Sequence, residues 1–175
     1  MALIVEDGTI VAGAESYVTV AAATTYHSAR GNSAWALLTN AQMEESLRRA
    51  TDYMLQMFRQ SWKGYRKSVS QALDWPRSFV YLEPYVVGAV GPYPYLLADN
   101  VVPAEVKNAC SELALKASAG ALSPDLARAK LSVTVGEIAV TYDPNSPESK
   151  RYRSIDAMLR PYIDGSSMNI KLIRS

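Results

Sequence analysis

Thr39-Asn-Ala-Gln-Met-Glu-Glu-Ser-Leu-Arg-Arg-Ala-Thr-Asp-Tyr-Met-Leu-Gln-Met-Phe-Arg-Gln60 decides the fold class. Thr39 and Gln42 have the spacing of a capping box, in which each side chain satisfies a free backbone donor of the first helical turn. Met43, Leu47, Ala50, Met54, Leu55, Met57 and Phe58 then recur with helical spacing. Arg48, Arg49, Asp52, Gln56 and Arg59 fill the opposite side. The pattern predicts a helix ending near Gln60, with an apolar stripe broad enough to need other helices against it.

Those partners can be read on both sides. Upstream, residues 1–15 read as extended, with Asp7-Gly8 as a turn. A helix is expected from about Val20 to Arg30, capped by Thr19 and closed by Gly31, with Val20, Ala23 and His27 on one face. Downstream, Pro103 in the first turn and Gly120 at the end bound a helix whose Val106, Cys110, Leu113 and Ala117 repeat at four, three, four. Ser123-Pro124-Asp125 opens a short helical turn. A last helix is expected over Ser149–Ile163, with Tyr152, Ile155, Leu159 and Tyr162 on one face and Pro161 distorting its final turn.

Between these helices the pattern changes. Leu131–Val135 and Ile138–Tyr142 alternate with period two, and Gly136-Glu137 suits a two-residue hairpin turn. Residues 61–102 are interrupted by Pro76, Pro84, Pro92 and Pro94, which exclude continuous helix. Tyr81, Tyr85, Tyr93 and Tyr95 lie among those prolines and are candidates for a subunit or partner interface. The expected fold is mainly α: a compact bundle of about four helices with one β-hairpin at about 131–142, a long Pro/Tyr-rich loop and an extended C-terminal tail. Residues 1–164 form the body and 165–175 the tail.

Composition narrows the function classes. Of 175 residues, 49% are hydrophobic and 20% charged, an ordinary balance for a globular chain able to bury its own core. The net charge of +1 supplies no global field toward nucleic acid or membrane. One cysteine excludes an intrachain disulfide. The acidic start lacks a signal peptide's basic region, and no apolar run reaches the length of a spanning helix, so a soluble protein made in the cytosol is expected.

Catalytic chemistry finds little to work with. There is no glycine-rich phosphate loop, and one His with one Cys cannot form the usual zinc set. His27 sits on an expected helix with no nucleophile elbow, and reads as a packing or surface residue. Cys110 falls on an apolar stripe and reads as a buried thiol. Glu44 and Glu45 are adjacent on a helix and do not face each other. No enzyme activity, metal or cofactor is expected.

The most chemical stretch is Arg59-Gln-Ser-Trp-Lys-Gly-Tyr-Arg-Lys67 with Gln71-Ala-Leu-Asp-Trp-Pro-Arg77. Five cations against Asp74 make it locally +4, leaving −3 for the remainder. Trp62, Lys63, Tyr65, Arg66, Lys67, Trp75 and Arg77 combine cations with stacking faces, as a single-stranded nucleic-acid platform requires. The same residues suit a second arrangement, in which Trp62 and Trp75 plug the open end of the helical core and arginines cover them. The second is preferred, because no wider basic groove accompanies the cluster.

These residues also carry a resemblance. Ser16-Tyr17-Val18, Tyr26 with Ala29-Arg30-Gly31-Asn32, Trp35, Arg49-Ala50-Thr51-Asp52-Tyr53, Gly64-Tyr65-Arg66 and Gln71–Arg77 look like a phage family labelled DnaT-like single-stranded DNA-binding protein. Val102-Pro103, Val106-Lys107, Glu112-Leu113-Ala114, Val135-Gly136, Val140, Tyr142 and Ile155–Leu159 with Pro161-Tyr162 continue it. The likeness covers the chain to about residue 163; Tyr81–Leu97 and the tail after Asp164 depart from it. The family is similar to head–tail adaptors of phage necks. That resemblance implies a structural virion protein made in the host cytoplasm, forming a dodecameric ring under the portal protein and meeting other neck or tail proteins. Genome DNA would pass through the lumen and could be contacted there without sequence reading; no membrane partner is implied. In this reading the tail residues Met168, Ile170, Lys171, Leu172, Ile173 and Arg174 dock on the portal as an added strand. The alternative is single-stranded DNA binding through the Trp62–Arg77 cluster.

Overall fold

The computed structural model describes residues 2–82, 96–124, 132–135, 138–141 and 152–164. In chain order the elements are α1 (Val20–Ser28), α2 (Ser33–Ala36), α3 (Asn40–Phe58), β1 (Tyr65–Arg66), β2 (Arg77–Ser78), α4 (Ala104–Ala119), β3 (Ser132–Val135), β4 (Ile138–Thr141) and α5 (Arg153–Leu159). A 3-10 turn, Arg160–Tyr162, continues α5. The fold is mainly helical with an antiparallel hairpin, β3–β4, as expected, and a second short antiparallel ribbon, β1–β2, that was not.

The centre is the packing of α3 on α4, the most extensive helix contact. The Thr39–Gln42 capping box forms with both of its reciprocal bonds. Met43, Leu47, Ala50, Met54 and Phe58 are buried on α3, joined by Ser46, Thr51 and Tyr53, while Met57 is exposed at the stripe's edge. On α4 the expected Val106, Cys110, Leu113 and Ala117 are all fully buried. Ala109 and Ala114 bury beside them, and these small side chains let the two backbones approach closely. Thr51 Oγ1 lies 3.5 Å from Cys110 Sγ at the contact. Burial of each large apolar side chain here stabilises the fold by about 2 kcal/mol.

α1 is capped by Thr19, whose Oγ1 accepts from the Ala22 N–H at 3.1 Å. Ala23 and His27 face inward. The chain then turns through Gly31 at φ +69° into α2, a single turn absent from the sequence expectation that buries Trp35. Pro103 stands at the N-cap of α4, one position earlier than the first-turn placement expected. α5 begins at Arg153, and Pro161 coincides with tightening into the 3-10 turn. Ile155, Leu159 and Tyr162 are buried, and the Tyr162 hydroxyl donates to Glu105 Oε2 of α4 at 2.6 Å.

β3 and β4 pair antiparallel with Val135 opposite Ile138, the hairpin expected at about 131–142. Its turn residues, most of the Pro/Tyr loop and the tail lie outside the described residues. The second ribbon, β1 with β2, pairs Tyr65 with Ser78 and Arg66 with Arg77. Four residues of strand inside a proline-rich stretch carry too short a pattern to announce themselves.

Near the N-terminus, Val5 and Ser16 form a parallel bridge around the Asp7-Gly8 turn. The buried Glu6 carboxylate accepts the N–H groups of Gly8, Ile10 and Val11 at 2.8, 3.0 and 2.9 Å. That clamp accounts for Ile10 at φ +65°.

Candidate nucleic-acid interface

Residues 59–82 fold as a knot against the end of α3, and the knot divides the basic-aromatic cluster in two. Its inner half is built on Asp74-Trp75-Pro76-Arg77. Trp75 is 0% and Trp62 5% exposed, with ring centroids 5.5 Å apart, edge to face. Phe58 packs on Trp62, and Tyr162 packs edge-on against Trp75 at 5.7 Å. The tryptophans plug the end of the helical core, so their faces are not open to a base.

Arg77 is also buried, and its guanidinium works as a backbone staple. Nε donates to the Lys63 carbonyl at 2.8 Å, and Nη2 donates to the Gly64 carbonyl at 2.6 Å. Nη1 reaches the Asp74 carbonyl at 3.3 Å. Burial pushes the Arg77 guanidinium down from its ordinary value, opposed by Asp74. Gln71 completes the knot: its amide donates to the carbonyls of Leu73 and Pro76, and its oxygen accepts the Ser68 N–H. The Trp75–Pro76 peptide is cis. Gln71, Asp74, Trp75 and Arg77 are thus spent on holding the loop closed. Arg59 is spent too, its Nε donating to Asp74 Oδ1 at 3.0 Å.

The outer half is different. Tyr65 is 73% exposed, and Arg66 and Lys67 beside it are exposed as well. The Arg66 side chain makes no hydrogen bond or ion pair among the described residues, its backbone pairing with Arg77 in the ribbon. Lys67 Nζ pairs with Asp99 Oδ1 at 3.1 Å, both ends in solvent, a contact worth under about 1 kcal/mol. Lys63 is half-buried, its ammonium donating to the carbonyls of Pro161 at 2.8 Å and Tyr81 at 3.3 Å. Val69 is 92% and Phe79 63% exposed on the same excursion. Neither residue belongs to the set chosen from sequence; only exposure reveals them.

Of the four candidate interface tyrosines, Tyr81 is exposed and bridges Leu96. Tyr85, Tyr93 and Tyr95 lie outside the described residues, as do Met168, Ile170, Lys171, Leu172, Ile173 and Arg174. His27 is fully buried: Nε2 lies 3.0 Å from the Ser111 carbonyl, and Nδ1 lies 3.1 Å from the Asn32 amide. The neutral ring satisfies both, donating from Nε2 and accepting at Nδ1. Burial holds its protonation below the ordinary range. Cys110 is buried too, and desolvation pushes its thiol up. Among the described residues, no group of three His, Cys, Asp or Glu is placed to hold a metal, and no helix is long and apolar enough to cross a membrane.

The full chain, residues 1–175, matches the family described as "Putative DnaT-like ssDNA binding protein". The match runs through Tyr81–Leu97 and the tail after Asp164, the stretches expected to depart from the family pattern. No curated protein and no solved structure matches the chain. Nothing in these comparisons points to a head–tail adaptor. By a match over its whole length, the chain belongs to the DnaT-like single-stranded DNA-binding protein family.

Proposed function

We propose that the protein binds single-stranded DNA with little sequence preference, through the outer edge of the β1–β2 ribbon. The observation that carries this reading is the exposed run Tyr65-Arg66-Lys67, left at the surface while Trp62, Trp75 and Arg77 are buried and Lys63 and Arg59 are tied to partners. Tyr65 supplies a stacking face, and Arg66 and Lys67 supply phosphate contacts. The site is small. Arg59 and Arg77 are committed to Asp74 and to backbone carbonyls, so about two phosphates are neutralised rather than the four or five that the cation count suggests. The log–log salt slope for a short oligodeoxythymidylate should then be about −1.4. Fluorescence anisotropy against salt tests this, with Arg66→Ala plus Lys67→Ala expected to abolish the slope. Absence of binding at low salt sinks the reading.

A second reading keeps the chain as an assembly protein, an adaptor ring at a phage neck that meets a portal and tail proteins. The specific support is exposed large apolar side chains on separate parts of the body. Leu37 is 85% exposed after α2, and Val69 is 92% exposed in the knot. Closed rings need two different patches per subunit. Mixing the protein with a portal ring and imaging the product tests it; a sample that leaves the portal bare ends this reading. Neither reading assigns the chain a reaction, a metal or a cofactor.

A further inference from the structure

Phe79 is held in a conformation and an environment that both disfavour phenylalanine. Its φ is +61°, the left-handed region where a side chain with a Cβ is strained and glycine or asparagine is preferred. Its ring is 63% exposed, although the other phenylalanine of the chain, Phe58, is buried in the core. The backbone conformation has a structural use, because the next residue, Val80, turns inward and is fully buried. The choice of phenylalanine for that position has none among the described residues. Ile10, the other non-glycine residue at positive φ among the described residues, makes the contrast: its N–H is gathered by the Glu6 carboxylate, and its side chain is half-buried.

The position of Phe79 relative to the proposed site is equally specific. Tyr65 pairs with Ser78, so the register sets Gly64 opposite Phe79, at the end of the ribbon that carries Tyr65. The two backbones are pressed together there. A Cβ built on Gly64 would stand 3.1 Å from the Phe79 carbonyl carbon and 2.2 Å from the Ser78 oxygen. Phe79 thus stands one rung from Tyr65 along the ribbon, and both side chains are exposed.

We infer that Phe79 is a second base-stacking residue, and that the site takes two bases of a single strand, one on Tyr65 and one on Phe79. This rests on the single-stranded DNA reading of the ribbon and adds to it a residue that carries no charge. A strained, exposed aromatic ring is retained for what it touches, and an exposed π-face on a ribbon that also carries cations suits a nucleobase.

The test is anisotropy of a fluorescein-labelled oligodeoxythymidylate at low salt, with thermal unfolding of the same full-length samples. Phe79→Gly should weaken binding by about tenfold or more while leaving the salt slope unchanged, because stacking is lost and no phosphate contact is. Its melting temperature should stay level or rise, since glycine accepts this φ. Phe79→Trp should restore binding. The inference falls if Phe79→Gly binds like the parent while Arg66→Ala is weakened; the ribbon reading then survives alone. A clear drop in melting temperature for Phe79→Gly overturns it as well, by making the ring a packing residue. If the parent protein binds no oligonucleotide at low salt, both the ribbon reading and this one fail.

Discussion

Asp74 is fully buried, and among the described residues its carboxylate forms an ion pair with Arg59, whose Nε lies 3.0 Å from Oδ1. The second carboxylate oxygen has no hydrogen-bond partner among the described residues. Arg59 is the C-cap residue of α3, so this pair ties the end of the central helix to the Trp-Pro-Arg turn. Removing one member of a buried pair leaves a charge without compensation and costs about 3–5 kcal/mol, less where one member is half in water as Arg59 is. Arg59→Ala should therefore destabilise the protein by about 2–3 kcal/mol in urea unfolding. The double variant Arg59→Ala, Asp74→Asn should recover part of that loss. An Arg59→Ala midpoint indistinguishable from the parent would show that the pair contributes nothing.

His27 makes stability pH-dependent in a definite direction. Burial lowers its folded-state pKa from the ordinary 6.5. Above about pH 6.5 both folded and unfolded chains hold the neutral ring, and no penalty arises. Below that value the unfolded chain takes up the proton first, so stability falls as pH drops toward the folded pKa. The chain has one histidine, so His27→Gln should flatten the unfolding midpoint between about pH 7 and pH 5.5 relative to the parent. Parallel pH profiles for the two proteins would refute the assignment.

Gly64 and Gly31 share nearly the same left-handed backbone, φ +67° and +69°, but differ in surroundings. A Cβ at Gly31 meets nothing within 4 Å, whereas at Gly64 it would fall 2.2 Å from the Ser78 oxygen. Gly31→Ala should cost about 1 kcal/mol, the conformational term alone. Gly64→Ala must also push β2 away, so it should cost clearly more and weaken oligonucleotide binding. Equal costs at the two sites would mean that the ribbon yields freely there.

What could be read from sequence and what could not divide along a physical line. The Thr39–Gln42 box, the stripes of α3 and α4, the Thr19 cap and the buried Cys110 follow from local rules: a periodicity, a spacing, a side chain reaching its own backbone. These were legible residue by residue. The fate of the basic-aromatic cluster was not, because neighbours in sequence part company in space. Lys63, Tyr65 and Arg66 alternate with Trp62 and Gly64, yet Trp62 enters the core while Tyr65 and Arg66 face water. That partition is set by contacts remote in the chain: Tyr162 packing on Trp75, Ile163 bridging Trp62, and Arg77 reaching back to the carbonyls of residues 63 and 64. The sequence by itself determined a helical body and the presence of cations among aromatics. Only tertiary structure decided which of them are spent on the fold and which remain at the surface, because burial is a property of the whole packed chain and hydrophobicity alone does not choose between two tryptophans and a tyrosine.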